Sequence, residues 1–166
     1  MRQKPVIAAY SGTFDPITNG HTDVIRRAAR MFQKMLVAVA ANSGKSPMFT
    51  PKERVELVRA SLADVPNLEV VAWSELIVHL FRERGVTVLV RGARGVGDFE
   101  YEKQMALMNR FLEPNIDTIL LAPAPQYTQI SSSLVREIAG HGGDITGLVP
   151  EVVAAALRKK VAGKRK

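Results

Sequence analysis

The sequence predicts an α/β fold, a doubly wound parallel sheet of five strands with helices on both faces. Three observations lead there. Short apolar runs alternate with segments of helical periodicity along the whole chain, the order that right-handed βαβ crossovers require. The run Met35 to Ala41 is apolar throughout, as a strand covered on both faces must be. Glycine-bearing polar segments follow the apolar runs at Ser11-Gly12, Asn42 to Phe49 and Arg91 to Gly95, on the side where such sheets bind their ligands.

Pro5 to Tyr10 reads as the first strand, and Asn19 to Phe32 as a helix through Val24, Ile25, Ala28, Ala29 and Phe32. Met35 to Ala41 is the second strand. Thr50-Pro51-Lys52-Glu53 has the form of a capping box with proline at the first helical position, so a helix should run from there to about Ala63. Leu68 to Trp73 is the third strand; Ser74 is the expected cap of a helix with Leu76, Ile77, Leu80 and Phe81 on one face, and Gly85 its left-handed stop. Val86 to Val90 is the fourth strand. Asp98 is the expected cap of a long helix ending near Leu112, Thr118 to Leu121 the fifth strand, and Ser131 to Ala139 and Pro150 to Val161 the last two helices.

A chain of 166 residues, 46% of them hydrophobic, suits one domain spanning residues 1–166, with a basic tail from about residue 158. There is no cysteine, which rules out disulfides and thiolate chemistry in this sequence and lends secretion no support. Pro5 to Tyr10 is too short for a signal-peptide core, and no run of about 18 apolar residues occurs. The expectation is a cytoplasmic protein with no membrane partner. The net charge of +7 suits a protein that handles anions. Six of the positive charges lie between Arg158 and Lys166 without interleaved aromatic residues, so a solvated helix end is expected there and no nucleic-acid partner.

Four segments carry chemistry. Ser11 to His21 leaves the first strand and enters a helix, with Gly12 permitting close backbone approach, Thr13 offering a hydroxyl, and His21 in a first helical turn that already favours anions. Asp15 and Pro16 shape the turn. Gly44-Lys45-Ser46 imitates the end of a Walker A loop, but Val39 replaces the earlier glycine and Pro47 blocks the helix; Lys45 remains a loop-borne cation for a phosphate. Arg91-Gly92-Ala93-Arg94-Gly95 puts two guanidinium groups at a strand end, with glycines in the wrong order and place for a dinucleotide fingerprint. Ile130-Ser131-Ser132-Ser133 brings three hydroxyls to a helix start, more than one N-cap needs and suited to a triphosphate. His79 and His141 have ordinary structural readings.

In G-T-F-D-P followed by T-N-G-H, the chain resembles the nucleotidyltransferase superfamily and its Rossmann-like fold. With K-S-P-M-F-T, V-R-G-x-R, D-F-E-Y-E with M-N-R, and I-S-S-S-L-V-R-E in order, it resembles the phosphopantetheine adenylyltransferase family from Val6 to about Leu157. That resemblance implies transfer of the AMP part of ATP to 4′-phosphopantetheine, giving dephospho-coenzyme A and pyrophosphate, with Mg²⁺ accompanying the nucleotide and no metal held by protein ligands. It implies His21 as transition-state stabiliser and Thr13, Lys45, Ile77 and Arg91, with Asn109 nearby, as contacts for phosphopantetheine. Thr13, Phe14, His21, Gly92, Ala93, Arg94, Glu102, Tyr127, Thr128, Gln129, Ile130, Ser131, Ser132 and Ser133 would hold ATP. Coenzyme A would bind as a product-like inhibitor, and a homohexamer is expected, with the helix around Met105 and Met108 at an interface. Ser11, Ala93 and Tyr127 depart from the family's usual proline, larger apolar residue and tryptophan; tyrosine keeps an aromatic face for adenine.

A phosphate nucleophile is ionised near neutral pH, so positioning and charge stabilisation should suffice. Lys45, Arg91 and Thr13 would hold the attacking phosphate, His21 would meet charge developing on the α-phosphate, and Arg94 with the serine segment would steady pyrophosphate. Rival readings are another nucleotidyltransferase with nicotinamide mononucleotide or an alcohol phosphate as acceptor, a basic nucleic-acid-binding protein, and a coenzyme-binding regulator without catalysis. The T-N-G-H form and the Lys45 segment argue against the first.

Overall fold

The structure, a computed structural model, describes residues 6–41 and 47–164. Its strands are β1 (Ile7–Gly12), β2 (Lys34–Ala40), β3 (Leu68–Trp73), β4 (Val88–Gly92) and β5 (Asp117–Leu121). The helices are α1 (Asn19–Ala29), α2 (Pro51–Ser61), α3 (Ile77–Arg84), α4 (Val96–Leu112), α5 (Ser132–Gly140) and α6 (Glu151–Lys164), with a 3₁₀ turn at Pro125–Tyr127. All strand pairs are parallel, in the order β3-β2-β1-β4-β5. The order therefore reverses between β1 and β4, and a crevice opens there at the carboxyl ends of the strands.

Alternation along the strands separates two apolar layers. Ala8, Tyr10, Met35, Val37, Val39 and Val90 face the layer that also contains Val24, Ile25, Val58, Val135, Val153 and Leu157, drawn from α1, α2, α5 and α6. Ala9, Leu36, Ala38 and Leu89 face the other, with Val78, Leu80 and Phe81 of α3. The doubly wound α/β arrangement read from the sequence is thus present, with most helices on one face.

Several local signals form as their chemistry dictates. Thr50 and Glu53 complete the capping box, with the Thr50 N–H donating to Glu53 Oε2 at 2.8 Å and the Glu53 N–H to Thr50 Oγ1 at 3.2 Å. Gly85 ends α3 at φ 64°, a backbone region glycine enters without a Cβ penalty. Two expected caps differ. The N-cap of α3 is Leu76, because the chain turns into the helix two residues beyond Ser74. The N-cap of α4 is Gly95, and Asp98 lies inside the first turn, where its carboxylate accepts from the Arg94 N–H at 3.1 Å.

In α4, only Glu102 and Asn109 are buried. Val96, Phe99, Tyr101, Met105, Leu107, Met108, Phe111 and Leu112 are all exposed, Phe111 at 80%. At the other end of the chain, Arg158 pairs with Glu151 at 3.1 Å and Lys160 with Glu53 at 2.7 Å, so part of the basic cluster is neutralised within the fold. Among the described residues, no helix is long and apolar enough to cross a membrane.

Candidate active site at the strand-order reversal

The loop from β1 to α1 is folded back on itself. Phe14 adopts φ 50° and is 2% exposed. Its ring lies over Gly12, where an added Cβ would sit 3.1 Å from it; glycine is needed there for that close approach. The chain then reaches Thr18, whose Oγ1 accepts from the His21 N–H at 3.4 Å, while His21 Nδ1 accepts from the Thr18 N–H at 3.1 Å and lies 2.9 Å from Thr18 Oγ1. This is a reciprocal capping box with an imidazole in the place usually taken by a carboxylate.

That arrangement fixes the chemistry of the ring. Nδ1 can accept from an amide only when it carries no proton, so the proton of neutral His21 is on Nε2, at the edge turned from Thr18 toward the crevice. Desolvation in the crevice, followed by the positive charges of Arg94 and Arg91, lowers the pKa of His21 from 6.5 to about 4. Phe14 and Tyr10 meet the ring edge-on at 5.3 and 6.3 Å. His21 is therefore a fixed, uncharged hydrogen-bond donor across the neutral pH range.

The end of β4 and the first turns of α4 form the opposite wall. Arg91 donates through Nε and Nη2 to the buried Glu102 carboxylate at 2.8 and 2.7 Å, and through Nη1 to the Ser11 carbonyl. Its guanidinium carbon lies 5.9 Å from the centre of the Tyr10 ring. Arg94 donates through Nε to Asp98 at 2.7 Å and through Nη1 to the Ile130 carbonyl at 3.0 Å. Both guanidinium groups are oriented before any ligand arrives, which preserves charge while removing rotamer freedom. Gly92 lets the two strands close: a Cβ there would be 3.2 Å from the Tyr10 hydroxyl.

The third wall is the segment from Pro123 to Ser133. Asp23 of α1 accepts from the Ala124 N–H at 2.9 Å, and Arg27 donates to the Ala122 carbonyl at 2.7 Å, fixing this segment to the helix that carries His21. The three serines have separate roles. Ser131 caps α5 by accepting from the Leu134 N–H at 3.1 Å, the Ser132 hydroxyl donates to the Pro16 carbonyl at 2.8 Å, and Ser133 Oγ accepts from Arg136 at 3.2 Å. What they present to the crevice is chiefly the first-turn N–H groups of α5, which have no helical acceptor. The crevice, open to solvent and of about 250 Å³, is lined by Tyr10, His21, Arg91, Gly92, Arg94, Glu102, Tyr127, Ile130, Ser131 and Ser132, among others.

The remaining sequence-predicted residues lie around this crevice. Phe14 offers a ligand only its backbone, since its ring is in the core. The Ala93 N–H donates to the Leu121 carbonyl at 3.1 Å, and the Thr128 hydroxyl to Pro125 at 2.9 Å; Gln129 is exposed. Thr13 is exposed at the end of β1, outside the lining of the crevice. Ile77 lines a separate cavity of about 100 Å³ with Ala38, Ala40, Trp73, Ser74 and Glu75, at the ends of β2 and β3. Asn109 is buried on the same face of α4 as Glu102, two turns further along and outside the crevice lining. Lys45 lies outside the described residues.

Sequence reasoning did not single out Tyr10, Arg136 or Arg54, and read Asp98 only as a helix cap. Arg54 is 0% exposed, and its guanidinium donates to the carbonyls of Phe49, Thr13, Ala40 and Ala41 at 3.2, 2.7, 2.6 and 3.4 Å. Its position in an amphipathic helix, where an apolar residue would otherwise face the core, was the available signal.

The cytidylyltransferase-like family model matches residues 9–138. A phosphopantetheine adenylyltransferase of Alkalilimnicola ehrlichii is 51% identical over 160 residues, 95% of this chain and 92% of that protein. One from Methylococcus capsulatus is 51% identical over 158 residues, 95% of this chain and 98% of that protein. A crystal structure from Vibrio parahaemolyticus, described as a candidate nicotinate-nucleotide adenylyltransferase, superposes with a TM-score of 0.71 over 95% of this chain and 94% of its own at 18% identity. That last likeness is one of fold.

The lowered pKa of His21 makes a stability prediction. Between about pH 4 and 6.5 the unfolded chain binds a proton at this residue that the folded chain does not, so the contribution is complete above pH 6.5 and is lost as pH falls toward 4. In urea titrations, the loss of stability between pH 6.5 and 4.5 should be smaller in His21→Gln than in the parent chain, by on the order of 2 kcal/mol. Equal losses in the two proteins would mean that His21 titrates normally.

Proposed function

The chain belongs to the phosphopantetheine adenylyltransferases of the cytidylyltransferase-like family, and from that premise we propose that it transfers the adenylyl group of ATP to 4′-phosphopantetheine, giving dephospho-coenzyme A and pyrophosphate. The observation that carries the reading is the neutral His21 donor, held by Thr18 at the reversal of strand order. Transfer between two phosphates calls for fixed hydrogen-bond donors where charge develops, and His21 is one.

The acceptor phosphate, ionised near neutral pH, attacks the α-phosphorus of ATP, and the bond from that phosphorus to the bridging oxygen of pyrophosphate breaks. Negative charge grows on the non-bridging α-oxygens, where His21 Nε2–H donates at the positive end of the α1 dipole. Neutrality of the ring suits this role, since a neutral imidazole donates without having to shed or regain a proton during the step. Arg94 and the first turn of α5 lie where the departing pyrophosphate needs compensation. Arg91, set by Glu102 and Ser11, keeps its remaining N–H groups for the attacking phosphate, with Thr13 at the end of β1 and, by the family resemblance, Lys45 as further contacts. Tyr127, Gly20, Val24 and Ile130 supply an apolar seat for the base, and the small cavity at Ile77 takes part of the acceptor's arm.

Magnesium enters as part of the substrate, MgATP. Among the described residues no cluster of three or more His, Asp or Glu can hold a metal, and Asp98 and Glu102 are committed to arginines; the donor set suits an ion carried by triphosphate oxygens. Coenzyme A, which contains both the adenylate and the acceptor arm, would compete for the same crevice. We place the reaction in the cytoplasm. The exposed apolar side chains of α4 support assembly into a homohexamer, with Leu107, Met108 and Phe111 against another copy. Phe111→Glu should then release smaller species in sedimentation; unchanged assembly would put the interface elsewhere.

Pyrophosphate release from MgATP tests the reaction, with 4′-phosphopantetheine compared against nicotinamide mononucleotide and no acceptor. Release is expected with phosphopantetheine alone. His21→Ala should lower kcat by a factor corresponding to about 3 kcal/mol, while loss of its half of the capping box costs stability at pH 8 only on the order of 1 kcal/mol and leaves the chain folded. Release with the nicotinamide nucleotide would change the acceptor, and near-normal turnover of folded His21→Ala would remove the histidine from the mechanism.

A further inference from the structure

Arg54 and Asp15 stand outside the nucleotide crevice, yet both are almost wholly buried, at 0% and 4% exposure. A buried guanidinium without a carboxylate at ion-pair distance among the described residues is unusual. It is held by backbone carbonyls from two loops. Arg54 reaches Thr13 at the end of β1, Ala40 and Ala41 at the end of β2, and Phe49 just before α2. Asp15 reaches across in the opposite sense, with its two carboxylate oxygens accepting from the Met48 and Phe49 N–H groups at 2.9 Å each. Arg136 of α5 closes the arrangement: it donates to the Asp15 carbonyl and lies 3.6 Å from the Asp15 carboxylate.

Both described ends of the segment between β2 and α2 are therefore tied to the turn that presents Thr13. A rigid connection of this kind serves a ligand that must be gripped from the two loops at once. Nucleotide binding is built elsewhere, at the reversal between β1 and β4; the side joined by Arg54 is that of β1 and β2, where Thr13 is exposed. We propose that Arg54 and Asp15 are positioning residues for the acceptor phosphate, registering the Thr13 turn against the segment leading into α2, and that they act on acceptor binding far more than on ATP binding. The inference rests on the adenylyl-transfer reading and goes beyond it by separating the two substrates structurally.

The test uses Arg54→Lys, which keeps the charge but loses the planar fork, and Asp15→Asn, which keeps the shape but replaces one acceptor oxygen with a donor. In each, KM for 4′-phosphopantetheine should rise tenfold or more, KM for MgATP should stay within twofold, and amide hydrogen exchange at Met48 and Phe49 should accelerate. A purely structural role would lower the melting temperature without this split. Unchanged acceptor KM in folded variants, or equal rises for both substrates, would overturn the proposal. Exchange at Met48 and Phe49 that remains as slow in Asp15→Asn as in the parent chain would overturn it irrespective of turnover. Absence of pyrophosphate release by the parent chain with phosphopantetheine would instead overturn the underlying reading of the reaction, and with it the assignment to an acceptor.

Discussion

A helix that starts beneath a reversal of strand order must satisfy its first amides, and in this chain an imidazole shares that work. The exchange between Thr18 and His21 starts α1, sets the tautomer of the ring and turns Nε2–H toward the crevice with the same hydrogen bonds. Much of the site is arranged around this point. Tyr10 and Phe14 pack edge-on to the ring, and α1 in turn holds the 122–124 segment through Asp23 and Arg27. A charged histidine would lose the Nδ1 acceptor on which the cap depends, so the electrostatics of the crevice and the start of the helix favour the same protonation state.

Positive charge is handled by two different means. Arg91 and Arg94 are paired with carboxylates of α4, which orients their guanidinium groups and moderates their mutual repulsion while leaving N–H groups for phosphates. Among the described residues, Arg54 has only carbonyl acceptors in hydrogen-bond range and serves as a fastener between loops. The first arrangement places usable charge at a ligand, and the second uses a charge's hydrogen-bonding capacity to hold backbone. A phosphate-transfer site assembled from loops needs both, because donors are effective only when the loops carrying them do not shift as charge develops.

The fold was largely legible from the sequence because its signals are local. The uninterrupted apolar run of β2, the reciprocal pair Thr50 and Glu53, and Gly85 each act within a few residues and form as read. The structure adds to that reading where a side-chain partner decides the outcome. Asp98 resembles a cap, but Arg94 and the close of β4 place it one turn inside α4. Three serines in a row resemble three ligand hydroxyls, but Pro16 and Arg136 engage two of them. Arg54 stands out locally only as a charge on the core face of α2, and its role was not legible there, because the carbonyls it reaches are brought together only by the sheet; that to Thr13 spans 41 positions in sequence. Family resemblance supplied the residues around the crevice and their expected division between ATP and acceptor, whereas the partners that orient them, Thr18 for His21, Glu102 for Arg91 and Asp98 for Arg94, required coordinates.

The central claim is that His21 is a neutral Nε2–H donor held by Thr18. Its most direct measurement is ¹⁵N-edited NMR of the imidazole, with selectively labelled histidine, from pH 5 to 9. The account predicts for His21 an Nε2–H tautomer that persists across that range without the transition of a free imidazole near 6.5. A His21 ring that titrates near 6.5, or one that carries its neutral proton on Nδ1, would contradict it.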